Sequence, residues 1–168
     1  MIDIISSKDM QINNIGSNLA TLVYKNYDQI YQGRIEEDKR NGFGRLWTKE
    51  YQYIGSWKND LPDGEGEYKY SGNTENISEK QIIYYKGEWK NNKMEGEGVF
   101  KWPDGRQYEG QYVDDKKEGQ GTFYWPDGRK YQGAWLNGKQ DGLGTYTTAS
   151  GKAKQGNWKD GKRINWVQ

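Results

Sequence analysis

The chain contains neither cysteine nor histidine among its 168 residues. Without cysteine there is no disulfide, no zinc–thiolate site and no thiol nucleophile. Without histidine the commonest general base and metal ligand is missing. Proline is scarce, at three residues, and only 32% of the chain is hydrophobic, too little aliphatic bulk for a thick two-layer core. No apolar run approaches membrane-spanning length. The opening stretch Met1–Gly16 lacks the continuous apolar segment of a secretory signal, so an intracellular location is expected. The formal net charge is only +1, so no long-range field draws the whole molecule to nucleic acid.

What is abundant is glycine and aromatic residues: 23 Gly, 14 Tyr and eight Trp. So many rings rule out disorder, and so few aliphatics point to rings buried in a thin layer. The rings recur at a fixed interval. Aromatic-x-Gly stands at Tyr31–Gly33, Tyr53–Gly55, Tyr85–Gly87, Tyr108–Gly110 and Tyr131–Gly133, and Lys154–Gly156 follows in the same frame; the steps are 22, 32, 23, 23 and 23 residues. Two residues after each Gly comes Ile35, Trp57, Trp89, Tyr112, Trp135 or Trp158. Seven residues further comes Gly-x-Gly, in five copies beginning at Gly42, Gly64, Gly96, Gly119 and Gly142.

The period-2 alternation of Tyr-x-Gly-x-Trp places those residues on one face of a strand. A polar turn follows, then a second strand in which Gly96, Gly98, Phe100 and Trp102 share a face. Trp-Pro-Asp-Gly at 102–105 and 125–128 ends that strand with a strong turn signal. Glycine weakens a strand, so its repetition needs a reason. The expected reason is that rings from the same face lie over bare backbone, a known stabilising arrangement.

Tyr-Lys-Gly-Glu-Trp-Lys-Asn-Asn-Lys-Met-Glu-Gly-Glu-Gly-Val-Phe (85–100) and its counterpart at 131–146 resemble MORN (membrane occupation and recognition nexus) repeats. The resemblance spans about 31–166. It implies an all-β fold: an elongated, twisted, single-layer antiparallel meander of tandem hairpins, about thirteen strands long. The expected organisation is an N-terminal arm at 1–20 and an array at 21–168. The array holds a half repeat at 21–30 and repeats starting at 31, 53, 85, 108, 131 and 154. An insertion at about 71–81, rich in Asn, Ser and Glu, is expected to project as a longer hairpin tip. The end repeats are worn, with Ile35 for Trp and Lys154 for Tyr, as capping units commonly are.

The chemistry expected is binding and not catalysis. Glu95/Glu97 and Asp114/Asp115 are carboxylate pairs on turns or the solvent face, whereas acid–base work needs two carboxylates in contrasting environments within a cleft. Gly-x-Gly is followed by β-pattern and not by the helix a phosphate site uses. No cofactor, metal or small-molecule substrate is expected. The candidate contact residues are the structural aromatics Tyr53, Trp57, Tyr85, Trp89, Tyr108, Tyr112, Tyr131, Trp135 and Trp158, which line a shallow groove if it exists. A second candidate set is basic. Residues 129–168 carry eight basic and two acidic side chains, and Lys152, Lys154, Lys159, Lys162 and Arg163 could meet an acidic partner or an anionic lipid surface. The resemblance implies a scaffold or adaptor in a cytoskeletal assembly, with the ciliary axoneme and its radial spokes as one setting. The alternatives are a membrane- or phosphoinositide-associating module on a cytoplasmic membrane face, and the targeting subunit of a separate enzyme.

Overall fold

Alternating strands joined by turns short enough to force antiparallel neighbours can build only a meander. In the computed structural model, residues 10–14 and 19–24 are described as strands, and residues 28–72 and 82–167 in full. The strands are β1 (Met10–Asn14), β2 (Leu19–Tyr24), β3 (Gln29–Glu36), β4 (Lys39–Thr48), β5 (Tyr51–Lys58), β6 (Leu61–Tyr70) and β7 (Ile83–Lys90). They continue as β8 (Lys93–Lys101), β9 (Gln107–Val113), β10 (Lys116–Tyr124), β11 (Lys130–Leu136), β12 (Lys139–Thr147), β13 (Ala153–Lys159) and β14 (Lys162–Trp166). All fourteen form one sheet in chain order, so β1 and β14 never meet and the sheet stays open. The sheet therefore reaches into the 1–20 stretch, where β1 pairs with β2. The expected projecting tip at 71–81 falls largely outside the described residues.

Two turn types alternate. Within a repeat, two residues at positive φ join the strands, as at Asn91 (φ 48°) and Asn92 (φ 66°). Both residues at positive φ define the type I′ turn, whose twist matches that of the flanking strands. Between repeats, Pro103-Asp104-Gly105 closes a wider loop in which the Gly105 amide donates to the Trp102 carbonyl at 3.0 Å. Pro126-Asp127-Gly128 and Ala149-Ser150-Gly151 repeat it, with Gly128 and Gly151 donating to Trp125 and Thr148 at 3.1 and 2.9 Å.

The register gives the glycines two distinct jobs. The Gly of each Tyr-x-Gly and the second Gly of each Gly-x-Gly fall opposite one another on every strand from β3 to β13. They form an unbroken row, Gly33, Gly44, Gly55, Gly66, Gly87, Gly98, Gly110, Gly121, Gly133, Gly144 and Gly156, across the sheet. The first Gly of Gly-x-Gly instead adopts positive φ, 59° at Gly96, at an irregularity in strand pairing. Sequence reading had assigned all three to making room for rings; the first is a bulge residue.

Each repeat's tyrosine lies flat over this row. The Tyr85 hydroxyl reaches along its own strand and donates to the Glu88 carbonyl at 2.9 Å; Tyr31, Tyr53, Tyr108 and Tyr131 do the same to residues three further on, at 3.0–3.1 Å. A Cβ added at Gly98 would sit 2.5–2.8 Å from the Tyr85 ring and hydroxyl. Large residues from adjacent repeats then stand edge-on between the tyrosines. The chain Tyr31–Trp57–Tyr53–Trp89–Tyr85–Tyr112–Tyr108–Trp135–Tyr131–Trp158 runs without a gap, with centroids 4.9–5.5 Å apart and interplanar angles of 73–89°. Edge-to-face pairs of this kind contribute about 0.5–1.5 kcal/mol each beyond area burial. All ten rings are buried.

At the opposite edge the type I′ turns are tied together. The second turn residue of one repeat donates to the repeat before it: Asp60 to the Arg40 carbonyl, Asn92 to Pro62, Asp115 to Met94, Gly138 to Lys117 and Gly161 to Gln140, at 2.8–3.1 Å. Neighbouring repeats are thus joined by backbone at one edge and by rings across the middle, with no contact needed further along the array.

This arrangement predicts unequal costs for glycine substitution. Gly121→Ala places a Cβ within 2.6 Å of the Tyr108 ring carbons and should destabilise by about 2–3 kcal/mol. Gly151→Ala, where a Cβ meets nothing within 4 Å but φ is 84°, should cost about 1–2 kcal/mol. Urea denaturation of the two variants checks the order; equal losses would contradict it.

Candidate binding surface

The nine aromatic residues singled out in the sequence all lie on one face, but they are 0–7% exposed. They are the core of the sheet and not the lining of an open groove. What a partner meets on that face is the flanking row from the second strands, the partly buried Tyr68, Phe100, Trp102, Trp125 and Tyr146, with Trp166 at the end. These rings touch in series: Phe100 to Trp102 at 4.5 Å, Trp102 to Phe123 at 5.5 Å, Phe123 to Trp125 at 4.7 Å and Trp125 to Tyr146 at 6.2 Å. Sequence reading placed Trp102 on this face and used Trp102 and Trp125 as turn signals, but did not include them among the candidate contacts. Their place on the aromatic face was visible in the alternation from Gly96 to Trp102.

The turns hold two of these tryptophans in place. The Arg106 amide and Nε donate to the Asp104 carboxylate at 3.1 and 2.6 Å, which sets the Arg106 guanidinium 5.5 Å from the Trp102 ring centre. Arg129, Asp127 and Trp125 repeat the geometry, with distances of 3.1, 2.7 and 5.5 Å. Hydrogen bonding to the Arg129 amide, and to its guanidinium, holds the Asp127 carboxyl below its ordinary range. Beside the first of these loops is a cleft of about 440 Å³ whose walls include Ile82, Tyr84, Trp102 and Arg106.

The opposite face is polar and mixed in charge, with Lys86, Glu88 and Glu97 exposed, and single apolar residues Phe43 and Leu143 at 60% and 49% exposure. Three of the four carboxylates singled out in the sequence are engaged at the turns. Glu95 accepts from the Asp114 amide at 3.2 Å, Asp115 from the Met94 amide at 2.8 Å, and Asp114 pairs with Lys93 at 2.7 Å. The hydrogen bond and charge of Lys93 hold the Asp114 carboxyl low. Among the described residues no group of three or more acidic side chains is placed to hold a metal ion. Among the described residues no helix is long and apolar enough to cross a membrane.

The backbones of the five basic residues are spread along and beside β13 and β14. Lys152 and Lys154 stand near one end of β13 and Lys159, Lys162 and Arg163 near the other, about 17 Å away at strand spacing. Lys159 pairs with Asp141 at 3.1 Å. Lys154 and Arg163 both approach the Trp166 ring, at 5.3 and 4.2 Å. Among the described residues no ion pair engages Lys152, Lys154, Lys162 or Arg163.

An open sheet of like hairpins, tied by a ring spine and a turn ladder, defines a linear repeat protein. The family model for the MORN repeat matches residues 31–49, 53–75, 85–105, 108–128, 131–153 and 155–163, and the chain belongs to that family. Comparison with curated proteins found no match. The chain is accordingly built as a repeat module of the kind that binds proteins or membranes.

The buried phenols give this module a distinctive response to pH. Burial pushes the Tyr131 phenol up to about 12, and desolvation raises Tyr53, Tyr85, Tyr108 and Tyr112 further. In the unfolded chain tyrosine ionises near pH ~10. The folded state therefore holds protons that the unfolded state has lost, and each phenol's contribution is full below about pH 10 and disappears as pH rises through the folded value. Within that window each tyrosine removes about 1.4 kcal/mol per pH unit. The denaturation midpoint should be flat from about pH 7 to 9 and fall steeply above about 10, with phenolate absorbance appearing together with unfolding. Phenolate formation in a chain that keeps its circular dichroism would contradict the burial.

Proposed function

We propose that this chain is a non-catalytic scaffold, a protein-binding structural subunit of a cytoskeletal assembly in the cytoplasm, with the ciliary axoneme as its best single setting. The observation that carries the reading is the row of partly exposed rings, Phe100, Trp102, Trp125 and Tyr146, along one face of an open sheet. Large aromatic side chains and arginine dominate interface energetics, and here Arg106 and Arg129 stand beside two of the rings. A long strip of this kind suits an extended segment or a helix better than a small molecule. The fold leaves those rings where a partner can reach them, while the spine beneath holds the strip rigid.

A second reading rests on the C-terminal cations that have no ion pair, Lys152, Lys154, Lys162 and Arg163. A module that used them would bind anionic lipid weakly and with strong salt dependence. Asp141 and Asp160, paired with Lys159 and Lys139, interrupt the basic surface, and this places the reading second. Attachment to a separate enzyme as its targeting subunit stands behind both.

Detergent extraction of the native cells distinguishes these readings. The wild-type chain should stay with the insoluble cytoskeleton, and the pair Trp102→Ala and Trp125→Ala should release it while circular dichroism of the purified variant is unchanged. Release of the wild type by detergent alone, together with salt-sensitive sedimentation on phosphoinositide vesicles, would favour the membrane reading instead.

A further inference from the structure

One position recurs on the aromatic face of every repeat, the second residue of its second strand. It is occupied in turn by Arg40, Pro62, Met94, Lys117, Gln140 and Arg163, each paired across the hairpin with Ile35 or the ring-bearing residue of its repeat. The carbonyls of the first five all accept the turn amide of the following repeat, so these are five copies of one site. Two copies hold a cation on the rings, and they differ in one respect.

In the first copy the cation has its acid. Arg40 is 1% exposed, with its guanidinium 4.3 Å from the Trp57 ring centre. The turn residue opposite is Asp60, whose carboxylate accepts from Arg40 Nε at 3.1 Å and from the Arg40 amide at 2.9 Å. In the fourth copy the ammonium of Lys117 sits among four rings: Trp135 at 4.9 Å, Phe123 at 5.2 Å, Trp102 at 5.3 Å and Tyr108 at 5.6 Å. The turn residue opposite is Gly138, at φ 83°, close to the 69° of Asp60. A Cβ built on Gly138 meets nothing within 4 Å. Among the described residues no carboxylate pairs with Lys117.

We propose that Lys117 and its surrounding rings form a receptor for a carboxylate side chain of a protein partner, seated beside Gly138 where the first repeat carries its own Asp60. The proposal rests on the protein-binding reading and specifies the chemistry of the partner. Desolvation by the rings, with Arg106 nearby, holds the Lys117 amine below its usual range, a cost that an incoming carboxylate would relieve. Cation–π contact secures the ammonium without neutralising it, so the anion site keeps its charge. The first repeat is the template for a carboxylate. An extended anionic membrane is disfavoured by Asp114, Asp115 and Glu118, which stand on the adjoining turn and strand.

The chain supplies its own test substitutions. Gly138→Asp installs the missing acid at a positive φ close to those that Asp60 and Asp115 adopt. Lys117→Met introduces the residue that Met94 already is at the same site. With an alternating Glu-Ala peptide as probe, each variant should weaken binding about ten-fold or more relative to wild type, while Lys86→Met, on the opposite face, leaves it unchanged. Gly138→Asp should also raise Tm and move the Lys117 ammonium titration to higher pH by NMR. Inorganic phosphate and phosphatidylserine vesicles should not displace the peptide. Wild-type affinity in both Gly138→Asp and Lys117→Met, loss of binding in Lys86→Met instead, or equal displacement by phosphate would each overturn the proposal. Trp102 is one of the rings around Lys117, so partner capture on the ring strip is tested separately with Trp125→Ala alone.

Discussion

A tyrosine ring resting on two glycines from neighbouring strands is the contact on which the rest of the structure depends. The phenol can reach the carbonyl three residues ahead only if nothing rises from the backbone beneath it, and the row from Gly33 to Gly156 keeps that backbone bare. Once the tyrosines lie flat, the spaces between them accept indoles edge-on, and the spine closes. A single-layer sheet thereby buries a row of large rings without a second layer to cover it. This explains how a chain with only 32% hydrophobic residues holds a fourteen-stranded fold.

The same economy shapes the functional surface. Because the spine residues are consumed by folding, recognition falls to residues whose position the repeat fixes but whose identity it leaves free. The second-strand site shows this most clearly, with Arg, Pro, Met, Lys, Gln and Arg at one geometric place. The scaffold stays constant while each copy changes what is offered to a partner. Fold and specificity are thus written in different positions of the same repeat.

Repetition made most of the fold legible. Six aligned copies expose the strand alternation, the turns and the ring positions, because each copy confirms the others. Less legible was the division of labour among glycines. Gly96 and Gly98 look alike in sequence, and only the strand register shows that one takes positive φ while the other lies beneath Tyr85. The Lys117 site was not legible at all, since it depends on a turn residue 21 positions away in the next repeat and on the absence of a side chain there. For the basic C-terminal residues the sequence supplied the charges but not their geometry, in which an extended strand spaces Lys154 from Lys159 while Lys154 and Arg163 both approach Trp166.

The ring-on-glycine contact can be measured directly with a double-mutant cycle at Tyr85 and Gly98. In the wild-type background Gly98→Ala forces a Cβ into the Tyr85 ring. In a Tyr85→Val background, where the side chain ends short of Gly98, the three contacts nearest that Cβ are gone. The account predicts that Gly98→Ala is strongly destabilising in the first background and nearly neutral in the second, a coupling of about 2 kcal/mol or more. The same loss in both backgrounds would mean that the glycine row serves the backbone alone and that the rings do not depend on it.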